Sequence, residues 1–72
     1  MPTIDVQVLE GVFDEEDKAN LISALTKAFG EVAGQTLRDN LSIRIHEVQS
    51  GSWGYAGNVL TTDIGRSMRA RG

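Results

Sequence analysis

Apolar and polar residues alternate along the first segment of the chain. Ile4, Val6 and Val8 fall on one face of an extended backbone, and polar residues occupy the positions between them. A period of two residues is typical of a half-buried strand and predicts a β-strand from Thr3 to Leu9. Pro2 stands at the start of this strand, where the missing amide hydrogen does little harm to strand pairing.

A helical period follows between about Glu15 and Ala33. Asp14 stands at the N-cap position, where a carboxylate can accept hydrogen bonds from the free amides of the first turn. Gly34 is expected to end the helix, because glycine is the residue most often found just after a helix C-terminus. The apolar residues of the segment recur at helical spacing: Leu21, Ile22, Leu25, Ala28, Phe29 and Val32. The pattern predicts one long amphipathic helix.

Alternation returns after the polar loop 34–39. Here the apolar residues Leu41, Ile43 and Ile45 alternate with the polar residues Ser42, Arg44 and His46. The two strands and the helix between them form a β-α-β unit, for which a right-handed crossover and parallel strands are expected. Two strands and one helix leave a sheet face and both sheet edges open, which favours assembly with further subunits.

Glycines interleave with Trp53 and Tyr55 in the segment QSGSWGYAGN. This composition predicts turns and a short hairpin that reaches residues 59–61. The predicted fold class is therefore α+β: a β-α-β unit with two parallel strands, one long amphipathic helix and a C-terminal short hairpin, assembled as an oligomer. Residues from about 59 to 72 are interpreted as a C-terminal extension or tail.

The tail concentrates positive charge in three arginines, Arg66, Arg69 and Arg71. Most such tails are solvated and mobile, and that is the interpretation favoured here. The alternative is that these arginines bind an acidic partner or substrate, which requires the tail to be ordered.

Composition limits the classes of function. The 72 residues make one domain, residues 1–72, which is small for a self-sufficient hydrophobic core. The chain has no cysteine and one histidine, so we predict no disulfide and no metal site, and assembly into an oligomer is expected to stabilise it. A net charge of −3 disfavours nucleic acid as a partner. No apolar run approaches the roughly 20 residues of a membrane span and no signal segment is evident, so we expect a cytoplasmic protein without a membrane partner.

The order of these elements resembles the tautomerase superfamily, and within it the small-subunit group typified by 4-oxalocrotonate tautomerase. The resemblance runs from Pro2 to about Asn58. It consists of a proline after the initiator methionine, VLEG at the end of the first strand, DEEDKANLISALTKAF in the helix, IRIHEV in the second strand and the glycine-aromatic-glycine loop GSWGYAG.

The resemblance implies a keto–enol tautomerase or isomerase that acts on a 2-oxo or 2-hydroxy-2-enoic acid. Removal of Met1 would leave Pro2 with a free secondary amine, and this amine would be the catalytic general base. An α-amino group has a pKa near 8 in model peptides, and burial beside cations lowers that value toward neutrality, where a base exchanges protons well. The family precedent also implies a homohexamer built as a trimer of dimers, and we predict no cofactor.

The chain departs from the family at two positions that commonly carry substrate-binding arginines. Val12 follows the Glu-Gly pair, and Ser42 stands early in the second strand. Neither residue can hold a carboxylate as an arginine fork does, which disfavours a dicarboxylate substrate. Arg44 projects from the same strand face as Ser42 and is the predicted substitute; the alternative is an exposed or intersubunit ion-pairing role.

Several further residues are candidates for the site. Trp53 fits the family position of an aromatic wall that keeps the site dry, although a lone tryptophan is also a common interface anchor. His46 is either a second acid–base group or a surface histidine. Ser42, Tyr55 and Arg38 are possible substrate contacts. The alternative function is a non-catalytic oligomeric homologue that serves as a binding or structural module.

Overall fold

The computed structural model of the chain describes all residues from 1 to 72. Its elements, in chain order, are β1 (Thr3–Leu9), α1 (Glu15–Ala33), α2 (Gln35–Arg38), β2 (Ser42–Val48), β3 (Trp53–Tyr55), β4 (Asn58–Leu60) and α3 (Thr62–Ala70). This order confirms the predicted α+β class, with a β-α-β unit followed by a hairpin. No helix has both the length and the apolar composition needed to cross a membrane.

The strands β1 and β2 pair in parallel, as predicted, with Thr3 opposite Ser42 and Leu9 opposite Val48. A backbone bond outside the ladder fixes the start of this sheet, because the Ser42 amide donates to the Pro2 carbonyl at 3.0 Å. Another fixes its far end, where the Glu10 amide donates to the Val48 carbonyl at 2.8 Å. The strands β3 and β4 form a separate antiparallel hairpin, with Trp53 opposite Leu60.

Helix α1 begins and ends where the sequence predicts. Asp14 and Asp17 form a reciprocal capping box, in which each side chain accepts a hydrogen bond from the other's amide, at 2.8 and 3.0 Å. Half-buried residues recur every fourth position along the helix: Leu21, Leu25, Phe29 and Ala33.

The predicted apolar stripe of α1 is covered only in part, because Ile22, Ala28 and Val32 are exposed in the single chain. Val32 lies seven residues after Leu25 and therefore shares its helix face, yet it is 93 % exposed. No other element of the chain covers the Val32 side chain. The apolar pattern thus extends beyond what one chain can bury.

Two helices were not expected from the sequence. The loop 34–39 contains the one-turn helix α2, whose Arg38 packs against Gly30. A Cβ atom at Gly30 would lie 2.5 Å from Arg38 Cδ, so the glycine that weakens α1 makes room for this contact. Most of the residues interpreted as a solvated, mobile tail form α3. Thr61 caps the start of this helix, and its hydroxyl accepts from the Ile64 amide at 3.3 Å. This correction follows from long-range contacts that the local composition does not show.

No residue of the single chain is fully buried. The apolar faces of the sheet and helices are only partly covered, because a two-stranded sheet and three helices are too few to enclose a hydrophobic core. Several large apolar residues are exposed: Met1, Ile22, Val32, Leu37, Tyr55, Val59, Ile64 and Met68.

Candidate active site

Pro2 lies at the beginning of the sheet, one residue before β1. The Pro2 residue is half-buried, whereas Met1 before it is 92 % exposed. Its carbonyl accepts the hydrogen bond from the Ser42 amide, and its ring fixes φ. The backbone thus holds the proline ring in a defined position at one end of β1.

An apolar cavity of about 430 Å³ lies at the other end of β1. Its walls come from the end of the strand, the loop after it, the hairpin and α3. The lining residues are Val8, Leu9, Val12, Phe13, Trp53, Leu60, Gly65, Met68, Arg69 and Gly72. The cavity has the predominantly apolar lining and the few polar groups that are typical of small-molecule sites.

Pro2 and Trp53, two of the predicted site residues, are not brought together in one chain. Trp53 lines the cavity beside Val8 and Leu9, and Pro2 precedes the opposite end of the same strand. Six residue steps at 3.3 Å each separate the two ends of β1, a distance of about 20 Å. A site that used both residues would need two copies of the chain.

Helix α3 holds the loop after β1 by three consecutive backbone carbonyls. The Thr62 hydroxyl donates to the Glu10 carbonyl at 2.7 Å. Arg66 Nε donates to the Gly11 carbonyl at 2.8 Å, and Arg69 Nη1 to the Val12 carbonyl at 3.1 Å. The three donors stand at positions i, i+4 and i+7 of one helix face. We call these three bonds the carbonyl ladder.

Arg69 is also tied to α1 by charge. Its guanidinium donates to both carboxylate oxygens of Asp17, at 2.7 and 2.8 Å, and lies 4.9 Å from the centre of the Phe13 ring. The hydrogen bonds from Arg69 hold the pKa of the Asp17 carboxyl well below its usual range, and Asp17 in turn raises the pKa of Arg69. The positive charge of Arg69 is therefore balanced by the carboxylate of Asp17.

A second set of polar contacts joins the hairpin to the loop and to α3. The Ser50 amide donates to the Glu10 carboxylate at 3.1 Å, and the Ser50 hydroxyl accepts from the Thr62 amide at 2.9 Å. Ser50 thus connects the segment before the hairpin to both neighbours. These contacts set where Trp53 stands relative to β1.

The predicted residues of β2 lie elsewhere. Ser42, Arg44 and His46 occupy the exposed polar face of the sheet, opposite the face that carries Ile43 and Ile45.

The contacts of that polar face are sparse. His46 Nε2 lies 3.4 Å from Asp5 Oδ1. Arg44 stands opposite Asp5 in the strand register but forms no ion pair with it, and it lines neither cavity of the chain.

The remaining predicted candidates are also outside the cavity. Arg38 forms an ion pair with Asp39, with 3.6 Å between Nε and Oδ1. Tyr55 ends β3 and is 72 % exposed. Leu60, Phe13 and Met68 line the cavity but were not proposed from the sequence. Arg69, which the sequence offered only as an alternative contact for an acidic partner or substrate, lines it as well. For the α3 residues the available signal was the spacing of Thr62, Arg66 and Arg69 on one helical face.

Comparison with known proteins agrees with this architecture. The family model described as tautomerase enzyme matches residues 2–63. A structure of the 4-oxalocrotonate tautomerase isozymes from Methylibium petroleiphilum is 31 % identical, with a TM-score of 0.72; the alignment covers 81 % of this chain and 90 % of that one. No curated protein matches the chain.

Two further solved structures are similar to this chain. YwhB, a homologue of 4-oxalocrotonate tautomerase, is 29 % identical over 81 % of this chain and 92 % of its own, with a TM-score of 0.71. TomN, a 4-oxalocrotonate tautomerase homologue in the tomaymycin biosynthetic pathway, is 25 % identical over 99 % of this chain and 97 % of its own, with a TM-score of 0.72.

A small β-α-β unit followed by a terminal hairpin is the tautomerase fold. Because the family model covers most of the chain, from the proline onward, the chain belongs to the tautomerase enzyme family. The resemblance stated from the sequence motifs is therefore confirmed.

Proposed function

We propose that the protein is a keto–enol tautomerase that acts on a 2-oxo or 2-hydroxy-2-enoic acid. The family match, which begins at Pro2, carries the proposal. In this proposal Met1 is removed, and the secondary amine of Pro2 is the general base. The amine takes the proton from the enol oxygen, and the C–O bond becomes C=O. The electrons of the C=C bond then take a proton from the protonated amine at the carbon next to the one that bears the oxygen, so the net change is an isomerisation.

The position of Pro2 supports this role. The Ser42 amide holds its carbonyl, and the ring restricts its backbone, so the nitrogen points in one direction without a large entropic cost. A free α-amino group has a pKa near 8 in model peptides. An apolar wall beside the amine would disfavour its charged form and bring the pKa closer to neutrality.

The complete site in this proposal lies between subunits. If β1 pairs antiparallel with β1 of a second copy, the proline of one copy comes beside the cavity of the other. Both edges of the two-stranded sheet are available for this pairing, and the single chain leaves all of its apolar faces incompletely covered. We propose a homohexamer made of three such dimers, located in the cytoplasm.

The proposed substrate is a monocarboxylic acid with an apolar body. The cavity lining is mostly apolar and includes Trp53, which would pack against that body. Arg44 is the proposed contact for a substrate oxygen across the subunit boundary, since its guanidinium has no carboxylate partner within the chain. Ser42 and His46 share its strand face, and with Tyr55 and Arg38 they are further candidate contacts.

The test is tautomerisation of phenylenolpyruvate by protein whose mass shows that Met1 is absent. Pro2→Ala is expected to lower kcat/KM by about 100-fold or more, because a positioned general base contributes about that much. The parent rate should rise with pH to a plateau near neutrality as the amine loses its proton. Lys27→Gln, which changes one exposed charge on α1, is the control and should leave the rate unchanged.

The opposite outcome has a clear meaning. Equal rates for the parent and Pro2→Ala would remove Pro2 from the mechanism. If neither protein accelerates phenylenolpyruvate or other 2-oxo acids above buffer, the chain is better described as a non-catalytic oligomeric homologue with a binding or structural role.

A further inference from the structure

A carboxylic acid that enters the apolar cavity needs a cation near its charged end. Burial of an unpaired carboxylate is costly, and the cavity walls are mostly hydrocarbon. Of the seven basic side chains in the sequence, three are already paired with acids. These pairs are Lys18 with Glu47, Arg38 with Asp39 and Arg69 with Asp17.

Four basic residues carry charge without an acidic partner: Lys27, Arg44, Arg66 and Arg71. Lys27 lies on the exposed side of α1 and Arg44 on the polar face of the sheet. Arg71 follows the last residue of α3 and makes no side-chain hydrogen bond. Arg66 alone among them is bonded to the loop that forms the cavity wall.

Arg66 is not among the residues that line the cavity, but its neighbour in the helix is one of them, and it is bonded to the loop that supplies another. It follows Gly65, which lines the cavity and lies so close to Val12 that a Cβ atom on Gly65 would be 2.7 Å from Val12 Cγ2. Its Nη2 atom would be 3.5 Å from a Cβ atom on Gly11. The guanidinium therefore lies beside the backbone that leads directly into the Val12 wall.

Arg66 uses only one of its guanidinium nitrogens within the chain, so the other two are free to bind a ligand. A guanidinium has five N–H donors, and in Arg66 Nε is the one that binds the Gly11 carbonyl. The four hydrogens on Nη1 and Nη2 have no partner in the chain. These two nitrogens form the fork that holds a carboxylate by two parallel hydrogen bonds, while the Nε bond keeps the fork in place.

We propose that Arg66 binds the carboxylate of the substrate, and that the apolar body of the same molecule occupies the cavity. The inference rests on the proposed function for the kind of acid, a monocarboxylic 2-oxo or 2-hydroxy-2-enoic acid. Arg69 has a different role. Because it is bonded to Asp17 and to the Val12 carbonyl, it positions the cavity wall and does not bind the substrate carboxylate. Arg66 is thus a specificity residue supplied by the C-terminal helix.

The kinetic test compares Arg66→Gln with the parent and with Lys27→Gln. Glutamine keeps an N–H donor for the Gly11 carbonyl but removes the charge and the fork. The KM for phenylenolpyruvate should rise about 10-fold or more in Arg66→Gln, with kcat changed much less, and Lys27→Gln should match the parent. The neutral methyl ester of the substrate should be turned over with the same kcat/KM by all three proteins.

An equal loss of kcat/KM on the acid and on the ester would overturn the inference, since it would show that Arg66 only supports the fold. An unchanged KM for the acid would overturn it as well. Arg66→Lys gives a second check: it restores the charge without the fork, so its KM should fall between those of the parent and Arg66→Gln.

A binding experiment separates this inference from the proposed reaction. In the Pro2→Ala background, 3-phenylpropanoate is titrated by ligand-observed NMR against protein with arginine or glutamine at position 66. Weaker binding to the glutamine protein by about 10-fold supports the carboxylate site, even if Pro2 proves to have no catalytic role. Equal affinity, or no binding to either protein, would refute the site.

Discussion

The Thr62 hydroxyl donates a hydrogen bond to the Glu10 carbonyl across 52 residues of sequence, at 2.7 Å. This bond is the first of the carbonyl ladder, and both partners are partly buried. It joins the start of the C-terminal helix to the residue that follows the first strand, and both elements contribute to the cavity walls.

Removal of this hydroxyl should destabilise the protein. Thr62→Val keeps the shape of the side chain but leaves the Glu10 carbonyl without its donor, at a cost of about 1–3 kcal/mol in the free energy of unfolding. Urea denaturation followed by circular dichroism measures the change. Ser67→Ala is the control on the same helix, because Ser67 is exposed and its hydroxyl makes no hydrogen bond. Equal midpoints for parent and Thr62→Val would show that the bond contributes nothing.

The ion pair of Asp17 with Arg69 should make the free energy of unfolding depend on pH in the acidic range. The folded protein lowers the pKa of Asp17 from its usual value of 3.8. A carboxyl group whose pKa is lower in the folded protein than in the unfolded chain stabilises the fold. This stabilisation is fully present above the pKa of the unfolded chain and is lost as the pH falls through the pKa of the folded protein. Asp17→Asn should therefore be less stable than the parent at pH 7, and the difference should shrink below about pH 3.8.

The measurement is the urea midpoint of both proteins from pH 7 to pH 2.5. Glu31→Gln removes an exposed carboxylate from the same helix and should follow the parent at every pH. A difference between parent and Asp17→Asn that stays constant over the whole range would contradict the assigned pair.

Gly65 should resist replacement although it lies inside a helix. Alanine favours a helix over glycine by about 1 kcal/mol, but its Cβ atom would meet Val12 Cγ2 at 2.7 Å, and overpacking of this kind costs about 1–3 kcal/mol. We expect Gly65→Ala to lower the melting temperature. In a Val12→Ala background, where the clash is gone, the same replacement should raise it. The same sign in both backgrounds would show that the contact does not decide the outcome.

Assembly should depend on the outer face of the hairpin. Val59 precedes Leu60, a cavity residue, and therefore points to the opposite side of the strand, where it is 59 % exposed. Under the proposed oligomer, Val59→Asp should shift the sedimentation profile toward smaller species at micromolar concentration. Asn58→Asp adds the same charge one residue earlier and serves as the control. A profile identical to that of the parent would place the subunit contacts elsewhere.

The elements of the β-α-β unit could be predicted because their signals are local. Alternation marked β1 and β2, and Asp14 and Gly34 marked the ends of α1. The helix α3 has a capping residue, Thr61, but Gly65 interrupts its pattern, and its position is held by bonds from its side chains to residues more than 50 positions away. The same reason explains why Trp53 was proposed as a wall residue and Met68 was not. Trp53 stands in a motif, whereas Met68 reaches the cavity through tertiary contacts alone.

The carbonyl ladder also bears on how this protein can change. Thr62, Arg66 and Arg69 bind oxygen atoms that every amino acid possesses, so the attachment of the C-terminal helix does not depend on the side chain of Val12. That side chain faces the cavity. A smaller or more polar side chain at position 12 can therefore change the cavity wall while these three hydrogen bonds stay intact, whereas a larger one would press on Gly65.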